Sequence, residues 1–345
     1  MSNEDVRALV FKSAQEQDLD PLDLQVNRKI RVRSHTGHPA TAHYHASSQD
    51  KSAEYCIKLF DTTTTEKQKF FQRETRLLEE LSQTGSDRST AMTPAVLLTD
   101  AKAGLLVMEW LNGYSMKSSL MLATYSSDRR NRLLRLSGQW LRHFHEAYGI
   151  QRKPAEASIM MNRMQANIDG MTDQCRNLLL ADKSIMRSLA LLRERAPAMD
   201  GISVEWGLYH QDFTPSNLIV CHKGTVVRGI DFGKASDDAP VSFDIASFIV
   251  RTCDVGSEPL FAGTSAIELR LKGTIEAVLN GYSRQLSDAD RSWILWCLLY
   301  WCVTKNGNYY GTVRASKRGI PKRMISYLKW RKVRRLMLVV CDLVQ

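Results

Sequence analysis

The sequence predicts an α+β chain with a small β-rich N-terminal lobe, 1–110, and a large helical C-terminal lobe, 111–345. Three observations support this. Strand-like runs crowd the first 110 residues around one amphipathic stretch. Helical spacing then dominates to the end of the chain. One short β-rich block, 208–232, interrupts the helices and carries an unusual density of Asp, Asn and His.

Residues 4–18 carry Val6, Leu9, Val10 and Ala14 at helical spacing behind Ser2 as a candidate cap. Strand-like runs follow at about 24–33, 41–47 and 54–60, with the turn SHTGHPA between the first two, and an antiparallel meander is the simplest arrangement. From Thr65 to Ser82 the residues Phe70, Phe71, Leu77, Leu78 and Leu81 share one helical face. A Gly/Ser/Thr-rich stretch, 82–93, leads to strands near 94–99 and 104–110, where GLLVMEW is continuous and apolar like a buried central strand. After Gly113, helices are expected near 116–123, 128–147, 157–180, 182–195, 266–284, 288–305 and 321–340.

A content of 43% hydrophobic and 24% charged residues is that of an ordinary globular protein, and disorder is not the expected state. No run approaches the ~18–20 apolar residues of a membrane span, and the first twenty residues lack the basic start and apolar core of a signal peptide; a cytoplasmic protein is expected. The seven cysteines are scattered and include no CxxC pair, so they read as reduced thiols rather than disulfides or a zinc site. From Arg291 onward twelve Lys/Arg face one acid, Asp342, whereas the rest of the chain is close to neutral. Such an excess marks a surface facing an anion. It contains no nucleic-acid reader motif, so nucleic acid is not the expected partner.

The chemistry concentrates in Leu208–Gly233, LYHQDFTPSNLIVCHKGTVVRGIDFG. Two apolar runs flank a turn at His222–Gly224, and on a hairpin Asp212, Asn217 and Asp231 can converge at one end. Phosphoryl transfer needs such a set: one carboxylate to orient the attacking hydroxyl and take its proton, and an amide with a second carboxylate to hold Mg²⁺ against phosphates.

With H-x-D-x-x-x-x-N at 210–217 and D-F-G at 231–233, the chain resembles the aminoglycoside phosphotransferase and choline kinase family, which shares the two-lobed protein-kinase-like fold. The resemblance implies an ATP- and Mg²⁺-dependent kinase whose N-terminal lobe binds nucleotide. It makes Asp212 the catalytic base, Asn217 and Asp231 the metal ligands, and His210 a brace for the loop. PVSFDIASF resembles the family segment that follows D-F-G, making Asp244 a support of the catalytic loop. Upstream, EYCIKLF offers Lys58 for the α- and β-phosphates, and QRETRLLEEL offers Glu74 as its partner, with Glu79 the competitor. In GLLVMEWLNG, Met108 would wall the adenine while Glu109 and Leu111 contribute backbone groups. In the loop that covers phosphate in related kinases, only Gly37 is present.

Thr214 replaces the lysine that Ser/Thr protein kinases carry two residues after the catalytic Asp, and Gln211 departs from the family's H-G-D. The expected acceptor is therefore a hydroxyl on a small molecule or glycan. The cation-rich C-terminal segment, with Trp293, Trp296, Tyr300, Trp301, Tyr309, Tyr310, Tyr327 and Trp330, suits an anionic or lipid-linked sugar, although at least half of these aromatics are expected in the core. In 321–340, Leu328, Val333, Leu336 and Val340 form one face among cations; a solvated charged face is the preferred reading and peripheral membrane contact the other. An atypical protein kinase and a pseudokinase scaffold are the alternative functions.

Overall fold

The computed structural model describes all residues except 20–23, 36–37, 84–90, 172, 254, 256–262, 284, 316–319 and 345. They form two compact units, one of residues 1–114 with 217–235 and one of residues 115–216 with 236–345. The contiguous division expected at residue 110 did not foresee that 217–235 would join the N-terminal unit.

In that unit, α1 (Asn3–Glu16) begins with a capping box: the Asp5 N–H donates to the Ser2 hydroxyl at 3.1 Å and the Ser2 N–H to the Asp5 carboxylate at 2.7 Å. Val6, Val10 and Ala14 of α1 share a buried core with Leu24, Tyr44, Ile57, Leu105 and Val107. These five lie on an antiparallel sheet of β1 (Leu24–His35), β2 (His38–Ser48), β3 (Glu54–Phe60), β4 (Val96–Asp100) and β5 (Leu105–Glu109), in spatial order β1-β2-β3-β5-β4. Between β3 and β4 in the chain, α2 (Thr65–Ser82) is capped by Thr64 and buries Phe71, Leu77, Leu78 and Leu81 together with one carboxylate, Glu74.

The segment 217–235 is held here by backbone hydrogen bonds. Its strands Leu218–Cys221 and Val226–Gly229 form an antiparallel hairpin, and the Gly229 N–H donates to the Met92 carbonyl at 2.8 Å. The short β6 (Gly113–Ser115) adds to the hairpin edge; a Cβ at Gly113 would overlap the Val220 carbonyl, so glycine permits the approach.

The second unit contains α3 (Met116–Leu122), α4 (Ser127–Glu146), α5 (Ala157–Asp169), α6 (Asp173–Leu180), α7 (Lys183–Met199), α8 (Ser242–Cys253), α9 (Thr264–Tyr282), α10 (Asp288–Ala315) and α11 (Ile320–Val344). The stretch 157–180, expected as one helix, breaks after α5 at Gly170. A three-stranded sheet absent from the sequence reading joins β7 (Gln151–Pro154), β8 (Ser203–Tyr209) and β11 (Ser236–Pro240) in the order β11-β8-β7. QRKP and SDDAP lack the apolar alternation that marks a strand.

α11 packs on α10 and buries Val333, Leu336, Met337 and Val340, so the apolar face considered for a membrane is occupied within the unit. Among the described residues no helix is long and apolar enough to cross a membrane. Trp293 and Trp296 are buried and stacked, with ring centroids 5.2 Å apart, and the Trp296 indole donates to the Leu192 carbonyl at 3.2 Å; they belong to the core, not to a sugar-binding face. The six cysteines with described side chains are buried, and none forms a disulfide among the described residues.

α4 and α9 meet backbone to backbone. A Cβ at Gly138 would overlap the Val278 carbonyl, and one at Gly281 the Arg135 carbonyl. Gly138→Ala and Gly281→Ala should each destabilise the protein by about 1–3 kcal/mol through overpacking, despite alanine's better helix propensity. Urea unfolding midpoints measure this, and unchanged midpoints would mean the helices separate without cost.

Candidate active site

Lys58 lies on β3 opposite Leu106 of β5 and is only 2% exposed. A buried ammonium requires compensation. Its Nζ donates to Glu74 Oε1 at 2.9 Å and to Asp231 Oδ1 at 2.7 Å. Burial opposes the Lys58 charge, but Asp231 and then Glu74 outweigh it and hold the ammonium above its ordinary range. Burial pushes the Glu74 carboxyl up, while Lys58 and a backbone N–H from Gly233 pull it down. Glu79, the competitor, instead accepts from the Thr99 hydroxyl at 3.3 Å.

Asp231 reaches Lys58 from a left-handed backbone, φ 67°, which costs a residue other than glycine about 1–3 kcal/mol. Phe232 is fully buried beside it, and Gly233 lies against the Phe70 ring where a Cβ would overlap. The strands flanking the turn are now β9 (Leu218–Cys221) and β10 (Val226–Gly229). Leu218 pairs with Gly229, and the Ile230 N–H donates to the Asn217 carbonyl at 2.9 Å, so Asn217 and Asp231 share one end of the hairpin. One amide oxygen and one carboxylate suit Mg²⁺, which keeps waters and takes phosphate oxygens for its remaining positions. Among the described residues no three His, Cys, Asp or Glu gather as an all-protein metal cage.

Met108 is 3% exposed on β5. The Glu109 N–H is committed to the Ala95 carbonyl at 2.9 Å, and its carboxylate accepts from the buried Arg228 at 2.8 Å. Its share of any base contact therefore falls to its carbonyl. Leu111 follows half-buried, and Gly37 lies outside the described residues.

In the second unit His210 is fully buried among Phe144, Phe213 and Trp140, with ring centroids 5.6, 5.8 and 6.3 Å away. Its backbone N–H donates to Asp244 Oδ2 at 2.7 Å. The next residue, Gln211, has φ 62°, and Asp212 follows with its carboxylate 3.4 Å from Arg251 Nη2. Asp244 and Arg251 lie two turns apart on one face of α8, one beneath the loop and one beside its carboxylate. The sequence reading missed Arg251; its i+7 spacing from Asp244 was the available signal.

Asp244 rests on a relay also absent from the sequence reading. His145 Nε2 lies 3.3 Å from Asp244 Oδ2 and its Nδ1 2.9 Å from the Tyr282 hydroxyl, which donates to Glu205 at 3.1 Å; Arg142 donates to both Glu205 oxygens at 2.8 and 3.0 Å. Burial pushes the Asp244 carboxyl up to about 7, against His210 and two backbone N–H groups. Burial likewise lowers His145 to about 3, keeping the imidazole neutral.

A family model of phosphotransferase enzymes matches residues 41–277. The chain belongs to the phosphotransferase enzyme family. It is an ATP-dependent phosphotransferase acting on hydroxyl groups. Among solved structures it is similar to the choline kinase LicA of Streptococcus pneumoniae, at 15% identity, 96% and 99% coverage of the two chains and a TM-score of 0.52. It is also similar to the spectinomycin phosphotransferase APH(9)-Ia in complex with ADP and spectinomycin, at 13% identity, 99% and 98% coverage and a TM-score of 0.57. A Plasmodium vivax ethanolamine kinase matches at 13% identity, 92% and 85% coverage and a TM-score of 0.53. These likenesses establish the α+β, protein-kinase-like fold. No curated protein matches the chain.

The Asp244 carboxyl titrates higher in the folded phosphotransferase than in the unfolded chain, so the native state holds that proton more tightly and the group's contribution falls as pH rises from about 4 to about 7. Wild-type stability relative to Asp244→Asn should decline across that window, by at most about 1.4 kcal/mol per pH unit. His145 acts with opposite sign, losing stability as pH falls from 6.5 toward about 3, so the wild-type curve should be flatter than that of the variant. Urea unfolding over a pH series reads both, and a difference independent of pH would refute the assignment.

Proposed function

We propose that this phosphotransferase moves the γ-phosphoryl group of ATP onto a hydroxyl of an anionic small molecule or glycan, such as an acidic or lipid-linked sugar. The observation that carries the reading is the buried Lys58 ammonium between Glu74 and Asp231, at 2.9 and 2.7 Å, the arrangement that binds nucleotide phosphates in kinases. Lys58 binds the α- and β-phosphates and Glu74 fixes its position. Met108 packs on the base, while the Glu109 carbonyl and the Leu111 N–H meet its edge. Asn217 and Asp231 would hold Mg²⁺, which would neutralise charge on the transferring group.

Asp212 orients the acceptor hydroxyl and receives its proton as the new O–P bond forms and the γ-phosphorus separates from the β–γ bridging oxygen. Arg251 fixes the Asp212 carboxylate and brings a cation to the base that Thr214, in the place of the protein-kinase lysine, lacks. His210 and Asp244, both fully buried, position the loop without touching substrate. Support for an anionic acceptor is the cation excess of residues 291–345, of which Lys329 and Arg331 are exposed on α11. With Trp293 and Trp296 in the core, sugar stacking falls to partly exposed rings such as Tyr327 and Trp330. A lipid-linked acceptor would bring the cations of α11 to an anionic membrane surface.

The test is Mg²⁺-dependent ATP turnover with extracts fractionated into metabolites, glycans and glycolipids. Asp212→Asn should lower the fraction-dependent rate by about 10²–10⁴-fold while nucleotide still binds. No turnover in any fraction would favour a pseudokinase, and turnover only with protein substrates an atypical protein kinase. Arg251→Gln should lower kcat by up to about 10²-fold through a misplaced base; unaltered kinetics would remove Arg251 from the site.

A further inference from the structure

The helical unit contains an open cavity of about 730 Å³ bordered by residues 124–125 and the start of α4, the end of α8, the first half of α9 and α11. Its lining includes none of the residues assigned above to nucleotide, metal or proton transfer. The size is that of a small-molecule site, about 300–1,000 Å³. Much of the wall is apolar, including Val250, Ile267 and Leu336.

Arg130 lines this space although it is only 7% exposed, and among the described residues neither Nη1 nor Nη2 has a hydrogen-bond partner. Burying a guanidinium without a partner is strongly unfavourable, and water in the cavity would satisfy its nitrogens but not its charge. Two more cations, Arg270 and Lys332, line the same walls, whereas no Asp or Glu does among the described lining residues. Arg270 donates to the Val255 carbonyl at 3.1 Å, and burial and then the charge of Arg130 hold it down to about 10. The Arg130 guanidinium thus faces a cavity in which no carboxylate among the described lining residues meets it.

We propose that this cavity binds an amphiphilic anion, its carboxylate or phosphate monoester paired with the Arg130 guanidinium and its apolar body lying against Val250, Ile267 and Leu336. The planar guanidinium presents paired N–H donors to either head group. The hydrocarbon gains by leaving water, which an inorganic anion cannot do. This site is independent of the phosphoryl-transfer assignment, so either can fail alone.

Titration calorimetry with octanoate, octyl phosphate, octanol and inorganic phosphate against the full chain tests the proposal. One octanoate or octyl phosphate should bind per chain, at least about tenfold more tightly than octanol, as expected for a hydrogen-bonded charge pair. The tighter of the two names the head group, and either supports the site. Arg130→Met should weaken binding at least about tenfold without lowering the thermal unfolding midpoint, because it removes a buried unpaired charge; Arg130→Lys should retain part of the affinity. Gly273 lines the cavity and a Cβ there meets nothing within 4 Å, so Gly273→Trp should block binding in a folded chain even if the Arg130 variants do not fold. Equal affinity for octanol, equal affinity of inorganic and octyl phosphate, or undiminished binding by Arg130→Met and Gly273→Trp would overturn the proposal.

Discussion

A lysine ammonium at the centre of a protein unit is tolerated only where carboxylates meet it, and the first unit is organised around that requirement. Lys58 comes from β3, Glu74 from α2 and Asp231 from a segment 173 residues away. Three separate pieces of chain must therefore converge for any of the three charges to be buried at acceptable cost. Removing one partner from such a cluster typically costs about 3–5 kcal/mol, more than most single surface contacts contribute. The left-handed turn at Asp231, the Phe70 contact with Gly233 and the donation from Gly229 to Met92 all serve to deliver one carboxylate to one ammonium.

The second unit meets a similar demand differently. The loop 210–217 is anchored by a carboxylate, Asp244, that accepts from the His210 backbone N–H and has no Lys or Arg ion pair among the described residues. Neutral His145, the Tyr282 hydroxyl and the Arg142–Glu205 pair extend the hydrogen bonding from Asp244 outward to a partly exposed ion pair. Burial dominates both the Asp244 and the His145 shift, in opposite directions, which keeps charge away from the loop's foundation. Asp212, by contrast, remains partly exposed beside Arg251, as the proposed proton acceptor would need to be.

The helices and the five-stranded sheet were legible because their stabilisation is local or periodic. Thr65–Ser82 appears with the expected bounds because its buried residues recur at helical spacing. The sheet β11-β8-β7 was not legible: Gln151–Pro154 and Ser236–Pro240 are polar strands recruited by pairing with β8, and pairing leaves no mark on hydrophobic pattern. The choice of Glu74 over Glu79 was left open by the sequence, since both lie on one amphipathic helix; burial beside Lys58 decides it. Arg251, His145 and Arg130 passed unnoticed because a basic residue in a helix reads as a solvated charge until its surroundings are known.

The sequence by itself determined the secondary-structure order, the kinase-type motif residues and the cationic C-terminal segment, since these depend on residue identity and short spacing. Tertiary structure decided which charges are buried, which carboxylate each cation meets, where 217–235 belongs and which aromatics are core. Those outcomes depend on desolvation and on contacts between residues up to 173 positions apart, and neither quantity is a property of a local stretch of chain.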